Sequence, residues 1–365
     1  MLSASDSQTM TAEPDDRAIW SGVVGQDRAV EALRRAARSP VHAYLFVGPP
    51  GSTKEEAARA FAAVVLTGSE AADGRDARLV LSGEHPDVRE VARVGPAISA
   101  EQAAEIVRQA ALSPVEGDRK VLILHEFHLL NAVGAGRLLK TIEEPPASTH
   151  FIVVADFVPV DLVTIASRCV RVEFGPIAAE ALADALVAEG SEPSHARQAA
   201  GAAGGDLTRA RLLAADPQFT ERRRAFADLP RTLDGTGATV VSATGELLAR
   251  IEAAAAPLIA RHTDELARLD EREQRLGTRG SGRAAVEARH KRELRRHRTD
   301  ELRSGLAAIA ATYRDALVDG TAAHDDGVIA AVHRINATLE SFEHNPNETL
   351  MLQSLLWSLP ALPPG

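Results

Sequence analysis

Two short stretches, VLIL (121–124) and FIVV (151–154), are apolar at every position. A strand with one wet face alternates apolar and polar residues, so a strand that is apolar throughout must be covered on both faces. These two belong to a series. AYLFVG (43–48), VREVARV (88–94), KVLILHE (120–126), HFIVVAD (150–156) and CVRVEF (169–174) read as strands. Helical patterns at 53–66, 99–112, 129–143 and 159–167 lie between them. Strand, helix, strand in repetition predicts a parallel sheet in an α/β layer fold.

After Gly175-Pro176 the strand signals stop. Residues 177–215, including AAGGDLTRA (202–210), read as a small helical module. Pro217 and the charged run at 221–224 suggest a linker, and the rest to about residue 360 reads as helices. In NPNETLMLQSLLW (345–357), Asn345 is the expected N-cap, Pro346 the first helical residue and Glu348 the capping-box acid, ahead of an apolar face. At 365 residues the chain is too long for one core. The expected division is a polar, disordered lead at 1–18, an α/β core at 19–175, a helical lid at 176–216 and a helical domain at 217–365.

Composition removes several classes of function. Cys169 is the only cysteine, so an intrachain disulfide and a multi-cysteine zinc site are excluded. No run of eighteen apolar residues occurs, so no membrane span and no membrane partner are expected. A net charge of −10 argues against coating nucleic acid through bulk charge and makes any DNA contact local. The local exception is 264–303, which reads as a charged helical hairpin divided by glycines at 277, 280 and 282. Its arm from Arg283 to Arg303 carries eight basic and four acidic residues. Two roles fit it: a solvated hairpin laced with i,i+4 ion pairs, or an arm that contacts DNA or a partner.

The stretch FVGPPGSTKEEAARAF (46–61) follows a strand and opens a helix, the context of a phosphate-binding loop of the form G-x-x-x-x-G-K-[ST]. Gly48, Pro49, Pro50, Gly51 and Lys54 hold the spacing. Thr53 stands at the second glycine, where close approach of backbone to phosphate disfavours a Cβ. Glu55 replaces the hydroxyl that would ligate Mg²⁺ and sets a carboxylate beside a triphosphate, a repulsion of several kcal/mol at about 4 Å. At the end of the third strand His125 takes the place of the magnesium-binding Asp, and Glu126 that of the catalytic base in a degenerate Walker B motif. His125 and His128 read as polar residues at a strand end rather than as a metal pair, since no third ligand is near in sequence. No metal is expected.

Together with VVGQDRAVEALRRAARSPVHAYLFVGPPG, the stretches HPDVREV (85–91), LLKTIEEPP (138–146) and TIASRC (164–169) resemble bacterial DNA polymerase III clamp-loader subunits of the AAA+ family, from about Val23 to Val172. The resemblance implies a RecA-like AAA+ core, a small helical lid and an all-α C-terminal collar domain. It also implies that Arg168, flanked by Ser167 and Cys169, reaches in trans to the γ-phosphate of ATP held by a neighbouring subunit. The sensor position before SRC is filled by Ala155 and Asp156. Where the family's lid helix opens G-x-L-R, this chain has Gly205-Asp206-Leu207-Thr208, with Arg209 one residue late and turned by about 100°.

Nucleotide handling in cis is thus damaged throughout, whereas the outward-reaching arginine is kept. That pattern resembles the non-catalytic δ′ branch of the family. The alternative is a working ATPase, either of the γ/τ motor branch, which should carry an intact G-K-[ST] loop, or another AAA+ enzyme. The resemblance implies γ/τ and δ subunits, the sliding clamp and primer-template DNA as partners in a polymerase holoenzyme. It also implies a cytoplasmic, nucleoid-associated setting, and no cofactor of the chain's own, ATP and Mg²⁺ being held by neighbours. The family's four zinc-binding cysteines before HPDV are missing from LTGSEAADGRDARLVLSGEHPDV, so zinc is not expected.

Overall fold

A computed structural model describes residues 19–93, 97–276, 283–320, 325–342 and 347–363. The expected lead at 1–18, the hairpin glycines, Asn345 and Pro346 lie outside the described residues. The chain divides into two compact units, one of Met1–Ala185 with Ala203–Thr208, the other of Leu186–Ala202 with Arg209–Gly365.

The first unit is built on five parallel strands: β1 (Ala43–Val47), β2 (Val88–Val91), β3 (Lys120–Leu124), β4 (Thr149–Ala155) and β5 (Val170–Glu173). Their order across the sheet is β2-β3-β4-β1-β5. The helices around them are α1 (Asp27–Ala37), α2 (Lys54–Thr67), α3 (Arg75–Leu81), α4 (Ala100–Ala111), α5 (Ala132–Glu143) and the short α6 (Val163–Ala166).

The fully apolar strands behave as their composition demands. Tyr44, Phe46, Val121, Ile123, Ile152 and Val154 enter one core layer with Leu33 of α1 and Phe61 and Val65 of α2. Their alternates Leu45, Val47, Leu122, Leu124, Phe151 and Val153 enter the other with Ile106 of α4 and Leu138 and Ile142 of α5. The expected parallel sheet flanked by helices is present. Helix α3 is absent from the helical patterns of the sequence; it buries just Ala77 and Val80, too little to mark a period.

The residues read as a lid form α7 (Ala179–Ala188), α8 (Pro193–Ala203) and α9 (Leu207–Ala215), and they are shared between the two units. The second unit continues with α10 (Phe219–Thr232), α11 (Gly237–Ala253), α12 (Ala256–Leu276), α13 (Arg283–Val318), α14 (Asp325–Ser341) and α15 (Glu348–Ser358). Its core joins Phe226 and Leu229 of α10, Leu247 and Ile251 of α11, Leu302, Ile309 and Tyr313 of α13, Ile335 of α14 and Leu352 and Leu355 of α15.

Three sequence expectations need correction here. The charged 221–224 run is no linker but part of α10. Arg222 points inward, 3% exposed, and bonds Asp216 at 2.5 Å and Glu301 at 2.8 Å, so a residue that looks like surface is a buried ion triad. Helix α15 starts at Glu348, with Asn347 as its cap, the Leu350 N–H donating to Asn347 Oδ1 at 3.1 Å. The charged helical hairpin read at 264–303 is part of two longer helices. Its helices α12 and α13 begin earlier and end later, and the lower half of α13 is core.

Candidate functional site

The loop between β1 and α2 keeps the shape of a phosphate cradle. A Cβ at Gly48 would overlap the Phe174 carbonyl, and Gly51 has φ +70 with the Asp206 carboxylate packed against its Cα. The Leu207 N–H donates to the Gly51 carbonyl at 3.0 Å. Thr53 takes φ 61, the left-handed region that glycine occupies at low cost and a β-branched residue at about 1–2 kcal/mol. Its hydroxyl donates to Ser52 O at 2.7 Å. Thr53 thus holds a glycine-like conformation at the position where the loop template has glycine.

What fills the cradle is the chain's own charge. Lys54 is 1% exposed, its ammonium 2.9 Å from Asp156 Oδ1 and 3.4 Å from Glu55 Oε1, and it donates to the Pro49 carbonyl at 3.1 Å. Three carboxylates, of Glu55, Asp156 and Asp206, therefore surround the loop where phosphate oxygens would sit. His128 steadies Asp156: its Nδ1 accepts the Asp156 N–H at 3.1 Å, and Nε2 faces the carboxylate at 3.6 Å. Burial pushes the His128 pKa down against the pull of Asp156, so the ring is neutral near pH 7 with its proton on Nε2.

The positions that would serve magnesium and water are engaged as well. His125 Nε2 lies 2.8 Å from Glu90 Oε2, and Arg59 grips the same carboxylate through two bonds of 2.6 and 2.9 Å. Burial alone would raise the Glu90 pKa; the bonds from His125 and Arg59 outweigh it and hold the group at about 2. Glu126, at φ 49, accepts from Arg93 Nε at 2.8 Å. A base clamped by a guanidinium is poorly placed to take a proton from water.

Among the described residues, the group with the spacing of a cation site is Asp76, His85 and Glu116. His85 Nδ1 accepts the Asp87 N–H at 3.0 Å, which leaves the ring proton on Nε2, the atom facing Asp76. Arg75 bonds Asp76 at 2.8 Å and Glu116 at 2.8 and 3.2 Å, so a guanidinium already occupies the cation's place. These residues do not fit a metal.

Arg168 follows α6 and stands about one-third exposed. Its NH1 donates to the Thr164 carbonyl at 2.8 Å, and its Nε lies 3.0 Å from Glu143 Oε2 at the end of α5. Ser167 Oγ donates to the same Thr164 carbonyl at 2.9 Å. Cys169 sits against Ile165 O, and burial pushes its thiol up to about 12, so it is chemically quiet.

Sheet register separates Arg168 from its own loop. Val170 of β5 lies opposite Tyr44 of β1, so Arg168 enters at the N-terminal end of the parallel pair and Gly48 leaves at the C-terminal end. Six residues of strand amount to about 20 Å, beyond the reach of a guanidinium. Arg209, the late sensor arginine, is likewise engaged elsewhere, donating to the Asp300 carbonyl at 2.8 Å.

The sequence pattern singles out the loop, Glu126 and Arg168, but not the charged residues that the structure sets around this site. Glu90 lies in β2 and Arg93 two residues beyond it, with no motif to mark them, and the visible trace is a carboxylate inside the strand VREV. Glu143 was read only as part of LLKTIEEPP. The position of Asp156 before SRC gives no sign of its link to Lys54.

Residues 25–178 match the family profile described as "DNA polymerase III, delta subunit". Through this part the chain is similar to DNA polymerase III subunits, over somewhat less than half of its length. Among curated relatives, DNA polymerase III subunit delta' of Bacillus subtilis is 30% identical over 196 residues, covering 53% of this chain and 59% of that one. Subunit delta' of Pseudomonas aeruginosa is 33% identical over 165 residues, 43% of this chain and 47% of that one. Subunit tau of Bacillus subtilis is 31% identical over 170 residues, 45% of this chain and 30% of that one. The chain thus spans about half the length of the delta' relatives it matches and less of tau. The matched relatives are named delta' and tau alike, in line with the resemblance to DNA polymerase III subunits read from the sequence.

Proposed function

We propose that the chain is a δ′-type clamp-loader subunit that does not process ATP and acts on nucleotide held by a neighbour. The observation that carries this is Lys54, buried and already neutralised by Asp156 and Glu55. For a triphosphate to enter, it would have to displace two carboxylates of the chain and accept the like charge of a third. The position of Arg168, at the opposite end of the sheet from the loop, supports action in trans. In phosphoryl transfer such an arginine neutralises charge developing on the transferred group and contributes roughly 10³–10⁵ in rate.

The partners in this proposal are γ/τ and δ subunits, the sliding clamp and primer-template DNA. Hetero-oligomer formation through the helical unit is supported by large apolar side chains exposed among the described residues: Leu350 and Trp357 of α15, 63% and 64% exposed, and Val241 of α11, 58% exposed. Single exposed apolar side chains are ordinary, but a Trp packed over Gly237 next to Val241 makes a contact surface.

Titration calorimetry of the full chain with a slowly hydrolysed ATP analogue and Mg²⁺ tests the closed loop. No heat of binding is expected in the micromolar range; micromolar, Mg²⁺-dependent binding would favour a γ/τ-like motor instead. In an assembly reconstituted with γ/τ and δ chains, Arg168→Ala should remove most of the turnover at the site it completes. Unchanged DNA-stimulated ATPase activity would refute the trans role.

A further inference from the structure

The hairpin of α12 and α13 presents charge that acids among the described residues do not cancel. All four acids between Arg283 and Arg303 are engaged. Glu287 pairs with Arg283, Glu293 with Arg261, His262 and Arg289, Asp300 with Arg296, and Glu301 with the buried Arg222. Five of the bases are also held, by these acids and by Asp270, Glu265 and Glu348: Arg283, Arg289, Arg296, Arg298 and Arg303. Lys291, Arg292 and Arg295 have neither an ion pair nor a side-chain hydrogen bond among the described residues.

Their spacing places them together. At i, i+1 and i+4 they span about 100° of one helix side, opposite the inward stripe of His290, His297 and Glu301. Lys291 and Arg295 are exposed and lie one turn apart, about 6 Å along the axis, a distance comparable to that between successive phosphates of one strand. The face is held firmly. Ion pairs from Asp270 to Arg283 and from Glu265 to Arg289 zip α13 to α12, the rings of His262 and His290 stack at 3.8 Å, and Leu302, Leu306 and Ile309 anchor the helix in the core.

We propose that Lys291, Arg292 and Arg295 form a contact face for the phosphate backbone of nucleic acid. A protein partner would need apolar anchors at its centre. Among the described residues none of the exposed large hydrophobic side chains falls between 260 and 317, the nearest being Ile259 and Val318. A phosphate backbone needs none, since charge neutralisation and counterion release carry the binding. That the nucleic acid is primer-template DNA rests on the clamp-loader reading above; that the face takes phosphates rests on its own charges and spacing.

The test uses the full chain and a dye-labelled primer-template duplex, with anisotropy measured from about 50 to 200 mM salt. Wild type should bind weakly and without sequence preference, with a log–log salt slope that includes roughly 2.7 from three phosphate contacts. K291E/R292E/R295E should lose that part of the slope and bind at least tenfold more weakly at 50 mM salt. K291Q/R292Q/R295Q should lose the slope to a similar extent, which answers the question even if the charge-reversed variant folds poorly. An unchanged slope in the Gln variant, or no binding by wild type at 50 mM salt, overturns the proposal. Competition by polyglutamate as effective as unlabelled duplex at equal charge would overturn it too. None of these outcomes bears on the calorimetric test of the loop, so the two readings fail separately.

Discussion

The burial of Lys54 makes the ion pair with Asp156 a structural element, and a double-mutant cycle on the two measures it. Opposite unit charges at the observed 2.9 Å attract by roughly 6 kcal/mol at an effective dielectric of about 20 and by about 1.4 kcal/mol in bulk water. Asp156 is about one-third exposed and Lys54 is not, so the net lies between. Asp156→Ala strands a buried ammonium with Glu55 at 3.4 Å and one carbonyl, and should cost about 1–3 kcal/mol. Lys54→Met takes the cation out of its buried site and leaves carboxylates that reach water, a change expected to stay within about 1 kcal/mol. The double variant should be no worse than Lys54→Met alone, giving a coupling energy of at least about 1 kcal/mol. Trp20 is buried in the α/β unit and Trp357 belongs to the helical one. In a Trp357→Phe background, urea unfolding followed by tryptophan fluorescence therefore reports on the α/β unit alone. Additivity within about 0.3 kcal/mol, or Lys54→Met costing more than Asp156→Ala, refutes the argument.

Two further predictions concern charges that the sequence disguises. Glu90 is held at about 2 against an ordinary 4.5, so its contribution of roughly 3 kcal/mol is complete above about pH 4.5 and lost as pH falls through 2. Glu90→Gln should lower stability at pH 7 and flatten the acid limb of the Trp20 unfolding profile; an unchanged limb contradicts the assignment. In the helical unit, Arg222→Met leaves Asp216 and Glu301 buried without a cation and should cost about 3–5 kcal/mol by far-UV circular dichroism melts. A loss below about 1 kcal/mol would mean that the triad is hydrated in solution.

The sheet was legible because doubly covered strands must be apolar along their whole length, and VLIL and FIVV are. The altered loop was legible because its template fixes residue types at fixed spacing. Neither rule reports on pairings distant in sequence. Lys54 meets Asp156 only because β1 and β4 are neighbours in the sheet, and Glu90 meets His125 only because β2 and β3 are. Arg222 illustrates the opposite failure. A run of arginines reads as solvent-exposed until two carboxylates from other helices turn one of them inward, and no local pattern encodes that. The start of α15 was misplaced for a simpler reason: Asn345 and Asn347 are both good caps, and only the bond from the Leu350 N–H distinguishes the second.

Cys169 has a practical consequence. At neutral pH almost none of the chain's single thiol is ionised, because burial has moved its proton affinity far from the working range. The unaltered protein is therefore a nearly silent background for maleimide chemistry. One cysteine introduced on the exposed side of α13 would react almost alone, and a dye carried there could follow the approach of a partner in real time.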